Sequence, residues 1–388
     1  MKLLENMVLA PYTTLRIGGR ARYFTEVANE EELRESLNFA KGNNLPVFIL
    51  GGGSNVLFAD VGFNGLVVRP LFKGLETSEV GPHYVQVRVG AGEVLDEVIA
   101  WTVENGWWGM ENLSFIPGLS GALAIQNVGA YGQEASEVIE SVEVFDMVNG
   151  KSQMLNRDEC GFTYRHSRFN TYDKGRFVIL SVTLKLKKDG KPNLTYKDLQ
   201  EYFNSPVPLK AGSPSLMHKR GRGELLQMRQ AVIKIRKDKG QDPDKVWTAG
   251  SFFSNFRLTQ KEFASLLERI KKDFGEEKSV ELQTLVNKVK APSDEGRIKV
   301  PAAWILDQLL NLKGMQVGGA RLSERQVLNV INVGSATAKD CIELFEKVRS
   351  LVYQKTGLTL VSEPEFVGPD SDSVGIEDPR FDKSNREF

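Results

Sequence analysis

Apolar positions recur at two spacings along this chain. Leu33, Leu37 and Ala40 follow an Asn29 and Glu32 pair that reads as a capping box, and Gly42 offers a stop, so a short amphipathic helix is expected. A second helix is expected over 93–105, with Leu95, Val98, Ile99 and Thr102 on one face and Gly106 at its end. Short apolar or alternating runs predict strands at 46–50, 65–68, 84–89, 141–145 and 177–184. The last of these is nearly all apolar, which predicts burial on both faces. Further helices are expected over 224–237, from Thr259 with its Glu262 partner through Phe263, Leu266, Leu267 and Ile270, and over 340–355, followed by a strand over 358–367. The stretch 202–222 mixes Pro206, Pro208, Gly212, Pro214 and Gly221 with Lys and Arg and reads as an exposed connection. Residues 369–388 are polar and read as a loosely attached tail.

Length changes this picture first, because 388 residues exceed one small core and two or three domains are expected. Charge excludes more than it suggests. Lys plus Arg and Asp plus Glu balance at 50 each, so no global field favours nucleic acid or an acidic membrane surface. No apolar run reaches membrane-span length, no signal-peptide core opens the chain, and membrane insertion is not expected. Cys160 and Cys341 make neither a disulfide framework nor a zinc pattern, which suits a reducing compartment, the cytoplasm.

Candidate chemistry lies in two glycine-dense regions. Gly51, Gly52, Gly53, Ser54 and Asn55 follow the 46–50 strand; such a loop is either a tight turn or a cradle of backbone N–H groups for phosphate. The second region holds Ile116, Pro117, Gly118, Ser120 and Gly121, then Gln126, Asn127, Gly129, Ala130, Tyr131 and Gly132. Two such regions in one chain favour a dinucleotide. Neither the G-x-G-x-x-G fingerprint nor a P-loop occurs, so the fold that would hold it is a different one.

Several short runs, in order, resemble the UDP-N-acetylenolpyruvoylglucosamine reductase family of peptidoglycan-synthesis flavoenzymes. They are Thr13 to Gly19, Leu50 to Leu57, Ile116-Pro117-Gly118, Gln126 to Gly132, Tyr164-Arg165-His166-Ser167, Ala249 to Asn255, Ala303 to Asp307, Lys313 to Gly318 and Glu363 to Gly368. The resemblance implies an α+β fold of the vanillyl-alcohol-oxidase type, in which two subdomains hold FAD and a third α+β domain binds substrate. The corresponding boundaries are 1–70 and 71–240 for the FAD subdomains, with a returning strand at 357–368, and 241–356 for the substrate domain. It also implies that Gly51 to Asn55 and Ile116 to Gly121 meet the FAD pyrophosphate and its surroundings, with Gln126 to Gly132 nearer the flavin. NADPH would supply hydride, and a sugar nucleotide would be the substrate, with no obligate protein partner.

By the same resemblance Arg165, Ser251 and Glu363 are catalytic, and Tyr164, Tyr196, Lys239 and Asn255 bind substrate. Hydride arriving at an alkene carbon pushes charge toward the neighbouring carboxylate, which a guanidinium suits, and the second carbon then needs a proton donor. Lone residues of these kinds are ordinarily solvated or satisfy turns, so the family context carries their assignment. Two departures stand out: Glu365 occupies the place of a usual basic residue beside Glu363, and Lys239-Gly240 lacks the usual proline, which leaves Lys237 as the alternative to Lys239. A different flavin oxidoreductase leaves Ser251, Asn255 and Glu363 unexplained together, and an inactive binding protein leaves the intact trio unexplained. A serine hydrolase lacks its G-x-S-x-G elbow.

Overall fold

Asn29 caps the first helix, Glu30–Gly42, by accepting the Glu32 N–H at 2.9 Å. The Glu32 carboxylate takes the Ala28 N–H at 2.7 Å, one residue earlier than a standard capping box would place it. The computed structural model describes residues 1–204, 222–288 and 296–369. Residues 205–221 of the expected connection, and the tail after Pro369, lie outside the described residues. Two compact units emerge. One comprises Met1–Met7, Ala21–Gly52 and Asn64–Asp238; the other comprises Val8–Arg20, Gly53–Phe63 and the described part of Lys239–Phe388. The division falls inside the glycine loop, between Gly52 and Gly53.

The first unit is organised by an antiparallel five-stranded sheet in the order Lys151–Asn156, Ile139–Asp146, Phe177–Lys187, Tyr84–Gly90, Leu75–Val80. Phe177 to Leu184 are all buried, as the unbroken apolar run predicts, because this is the central strand. Its core joins Val87, Val142 and Val182 to Val98 and Ile99 of the Leu95–Glu104 helix. That helix is clamped by Asp96, whose carboxylate pairs with Arg229 of the Arg222–Asp238 helix. A four-stranded sheet, built mainly in this unit, takes the order Leu4–Val8, Arg20–Val27, Phe63–Pro70, Val47–Ile49.

The second unit holds an antiparallel sheet in the order Trp247–Ser251, Asn329–Asn332, Ala320–Leu322, Gln316–Val317. The helices Gln260–Phe274, Glu276–Lys288 and Ala338–Thr356 belong to it. Thr259 and Thr337 both close capping boxes, with Glu262 and Asp340. Its core stacks Phe253 on Phe345 at 5.4 Å, with Phe366 edge-on to Phe345 at 6.1 Å, and takes in Leu15, Ile17 and Leu57 from the two early stretches. The strand expected over 358–367 is realised only as Glu365–Val367, parallel to Val56–Phe58. Pro364 lacks the N–H that a ladder requires, and upstream of it only an isolated bridge joins Ser362 to Phe253.

Candidate functional site

The glycine loop begins where the Val47–Ile49 strand ends. In the first unit, a Cβ on Gly52 would lie 2.4 Å from the Gly118 Cα, so glycine is required for the two backbones to approach this closely. The N–H groups of Gly51, Gly52, Gly118 and Leu119 have no acceptor among the described residues. Those of Ser120 and Gly121 are used, donating to Glu93 and Ala91 carbonyls at 2.8 and 2.9 Å. The Ser120 hydroxyl is buried with no partner. Leu119 and Ser120 are buried, where such groups are nearly always paired, and Gly51, Gly52 and Gly118 are half-buried, so a group of unused donors around glycines fits an anionic cofactor such as the FAD pyrophosphate. In the second unit, Gly53 adopts φ +62° with its Cα side pressed on Tyr12, and the N–H groups of Gly53 and Ser54 likewise find no acceptor among the described residues.

Arg165 is set by two interlocked hairpins in the first unit. Thr163 and His166 exchange backbone hydrogen bonds at 2.9 and 3.2 Å around the two-residue turn Tyr164-Arg165, and Arg165 sits at φ +60°. Beside it, Gly129–Ala130 pairs with Gln133–Glu134 around Tyr131-Gly132, at φ +48° and +80°, as a type I′ turn requires. The Arg165 guanidinium donates to the Gly129 carbonyl at 2.6 Å and lies over the Tyr164 ring at 4.9 Å. Asn127 ties the hairpins together: Nδ2 donates to Thr163 O and to Glu134, each at 2.9 Å, and Oδ1 accepts the Ser136 N–H at 2.9 Å. Its amide is therefore spent on the scaffold. Ser167 adds a bond from its hydroxyl to the Ile125 carbonyl at 2.6 Å.

Phe115, Asn127, Tyr131 and Arg165 all have left-handed backbone, at φ between +45° and +65°. For Phe, Tyr and Arg this is strained, and such strain concentrates where a side chain must be aimed. Tyr196 completes this cluster, its ring edge-on to Tyr131 at 5.3 Å. Burial raises the Tyr196 pKa, assisted by Asp198 and Tyr164 and opposed by Arg165. Arg236 donates to the Phe115 carbonyl at 3.1 Å; burial pulls its pKa down, while Tyr131 and Asp96 hold it up. Lys237 lies over the Phe115 ring at 5.1 Å.

The second unit brings Ser251, Asn255 and Glu363 onto neighbouring segments. Phe253 bridges to Ser362, the Glu363 N–H donates to the Phe252 carbonyl at 3.1 Å, and the Ser254 N–H donates to Val361 O at 3.0 Å. Asn55 clamps the same segment, with Nδ2 on the Glu363 carbonyl at 3.1 Å and its own carbonyl accepting the Glu365 N–H at 3.0 Å. Asn255 Oδ1 accepts the Ala302 N–H at 3.1 Å. Lys239 lies in this unit and Lys237 in the other. One residue is invisible to sequence reasoning: Asn329, paired across the ladder with Ser251, is fully buried, and neither amide atom has a partner. Each such orphan costs about 1–3 kcal/mol, so its retention calls for an explanation.

Comparison with known proteins agrees with this geometry. Residues 21–156 match the family model described as an FAD binding domain, and residues 242–367 match the UDP-N-acetylenolpyruvoylglucosamine reductase C-terminal domain. The UDP-N-acetylenolpyruvoylglucosamine reductase of Thermobifida fusca is 36% identical over 370 residues, covering 94% of this chain and 98% of its own. That of Photobacterium profundum is 33% identical over 374 residues, covering 96% and 98%. The fold is that of the UDP-N-acetylenolpyruvylglucosamine reductase of Thermus caldophilus, with a TM-score of 0.61 at 24% identity over 94% of this chain and 98% of that one. With both halves matched and the relatives aligned nearly end to end, the chain belongs to the UDP-N-acetylenolpyruvoylglucosamine reductase family.

Proposed function

We infer that this chain reduces the enolpyruvyl ether of UDP-N-acetylglucosamine to UDP-N-acetylmuramate in peptidoglycan precursor synthesis. FAD, when bound, carries hydride from NADPH to the enolpyruvyl double bond. The chain supplies the rest. Gly51 to Asn55, Ile116 to Gly121 and the backbone of Gln126 to Gly132 would hold the cofactor, through the unused N–H groups at Gly51, Gly52, Gly118 and Leu119 and the Ser120 hydroxyl.

Arg165 is assigned to the substrate carboxylate, where a fixed guanidinium offsets charge as hydride arrives at the adjacent alkene. Ser251 gives a proton to the other alkene carbon, and Glu363 supports that transfer. Tyr164, Tyr196, Lys239 and Asn255 bind the sugar nucleotide. The observation that carries the assignment is the backbone pairing that sets 252–254 against 361–363, which brings the segments bearing Ser251, Asn255 and Glu363 alongside one another in one unit. Among the described residues no helix is long and apolar enough to cross a membrane. We place the enzyme in the cytoplasm, where NADPH and nucleotide sugars are made, acting without an obligate protein partner.

The test separates the two halves of the reaction. Holoenzyme should oxidise NADPH steadily only when the enolpyruvyl sugar nucleotide is supplied. Ser251→Ala should leave flavin reduction by NADPH intact and slow flavin reoxidation by substrate about 10²–10⁴-fold, the usual worth of a positioned proton donor. Equal slowing of both halves would remove Ser251 from the proton-donor role.

A further inference from the structure

A serine that gives up its proton leaves an alkoxide, and an alkoxide needs a hydrogen-bond donor aimed at it before the proton moves. Ser251 ends the Trp247–Ser251 strand directly opposite Asn329, the first residue of the Asn329–Asn332 strand. The register shifts between Thr248 and Ser251, where Gly250 takes φ +77°, so a bulge re-aims the serine at the end of its strand. The Ser251 hydroxyl makes no hydrogen bond to any described residue. The Asn329 amide, fully buried, has neither Nδ2 nor Oδ1 paired. Residues opposite one another in an antiparallel pair share a face of the sheet, with Cβ atoms about 4.5–5.5 Å apart.

We propose that Asn329 is a positioning residue for Ser251: with substrate bound, its Nδ2–H comes to donate to the Ser251 Oγ, aims the hydroxyl proton at the substrate carbon and stabilises the oxygen left behind. The inference rests on the reading of Ser251 as proton donor. In the step itself the Ser251 O–H bond breaks, a C–H bond forms on substrate, and the alkoxide regains a proton from water. Hydrogen bonds of this kind commonly tighten only once substrate is present.

The experiment uses FAD holoenzyme of wild type, Asn329→Leu, Asn329→Thr, Ser251→Ala and the Ser251→Ala, Asn329→Leu double variant. Both half-reactions are followed in H₂O and D₂O, with melting temperatures alongside. Asn329→Leu should melt close to wild type or above it and reduce its flavin normally. Its reoxidation by substrate should slow about tenfold or more, with a larger solvent isotope effect. Asn329→Thr, which restores a donor, should recover part of that rate. In the Ser251→Ala background the Leu substitution should change reoxidation less than about twofold, since both act through one hydroxyl. An Asn329→Leu enzyme that reoxidises at the wild-type rate, or one slowed equally with and without Ser251, overturns the proposal while leaving Ser251 in place. A Ser251→Ala enzyme with normal reoxidation overturns both. Should Asn329→Leu fail to fold, the same coupling is read with Asn329→Thr.

Discussion

Two asparagines, each at most 1% exposed, are treated oppositely by their surroundings. Asn127 in the first unit has three hydrogen bonds on its amide, one to the Arg165 hairpin and two to the neighbouring hairpin and the turn after it. Asn329 in the second unit has none on its amide, and it faces Ser251 across a ladder. The first arrangement uses buried polarity to build a rigid support. The second leaves polarity unsatisfied opposite the serine proposed as proton donor, a cost that stability alone would not retain.

The largest effect expected from this contrast is on catalysis in the supported region. Arg165→Ala should lower kcat/KM about 10²–10³-fold by removing one fixed cationic donor, with stability little changed, because alanine bears the same φ +60° backbone strain and only the hydrogen bond to the Gly129 carbonyl is lost. Steady-state kinetics with urea melts would check both halves of that expectation; a large loss of stability would mean that Arg165 serves mainly as structure. Next, Asn127→Leu should destabilise by about 1–3 kcal/mol, since it strands the Ser136 N–H and takes from the Thr163 carbonyl one of its two donors. Asn329→Leu, by comparison, should stay within about 1 kcal/mol of wild type or exceed it, and similar costs at the two sites would erase the contrast.

Gly52→Ala sharpens the comparison on the backbone. With its Cβ 2.4 Å from Gly118 Cα, it should cost about 1–3 kcal/mol and weaken FAD retention, read as flavin lost on gel filtration. The smallest effect concerns Glu111, buried and hydrogen-bonded by the Gly109 N–H at 2.7 Å, yet with its carboxyl pKa raised by desolvation. Its contribution to stability is complete below the unfolded value of 4.5 and falls as pH rises, because the folded state keeps a proton that the unfolded chain has released. Glu111→Gln should therefore flatten the decline in stability from pH 4.5 toward neutrality. An unchanged slope in urea melts across that range would place the decline elsewhere.

Much of the scaffold was legible because its signals are local. Asn29, Thr259 and the run from Phe177 to Leu184 declare a cap, a capping box and a buried strand within a few residues. Pro364 declared itself too, yet the apolar positions around it suggested a longer strand than the ladder can make. The left-handed backbone at Phe115, Tyr131 and Arg165 was illegible, since local preference reserves those angles for glycine or asparagine and tertiary contacts impose them here. The roles proposed for Arg165, Ser251 and Glu363 rest on resemblance, since no local signal in the sequence distinguishes them. Asn329 was unreadable because its meaning depends on Ser251, a residue far away in the chain.

The division of the chain at Gly52 and Gly53 also sets an order of synthesis. The second unit draws its core from Leu15, Ile17 and Leu57 as well as from residues beyond 239, so it cannot close when its first pieces leave the ribosome. Those early segments wait while the whole 64–238 stretch is made, roughly ten to thirty seconds at about 5–20 residues per second. Only at the end of that interval is the first unit complete in sequence, and it can then fold while the early segments of the second unit are still unpartnered. A fragment starting at Lys239 would begin life without three of its own core residues.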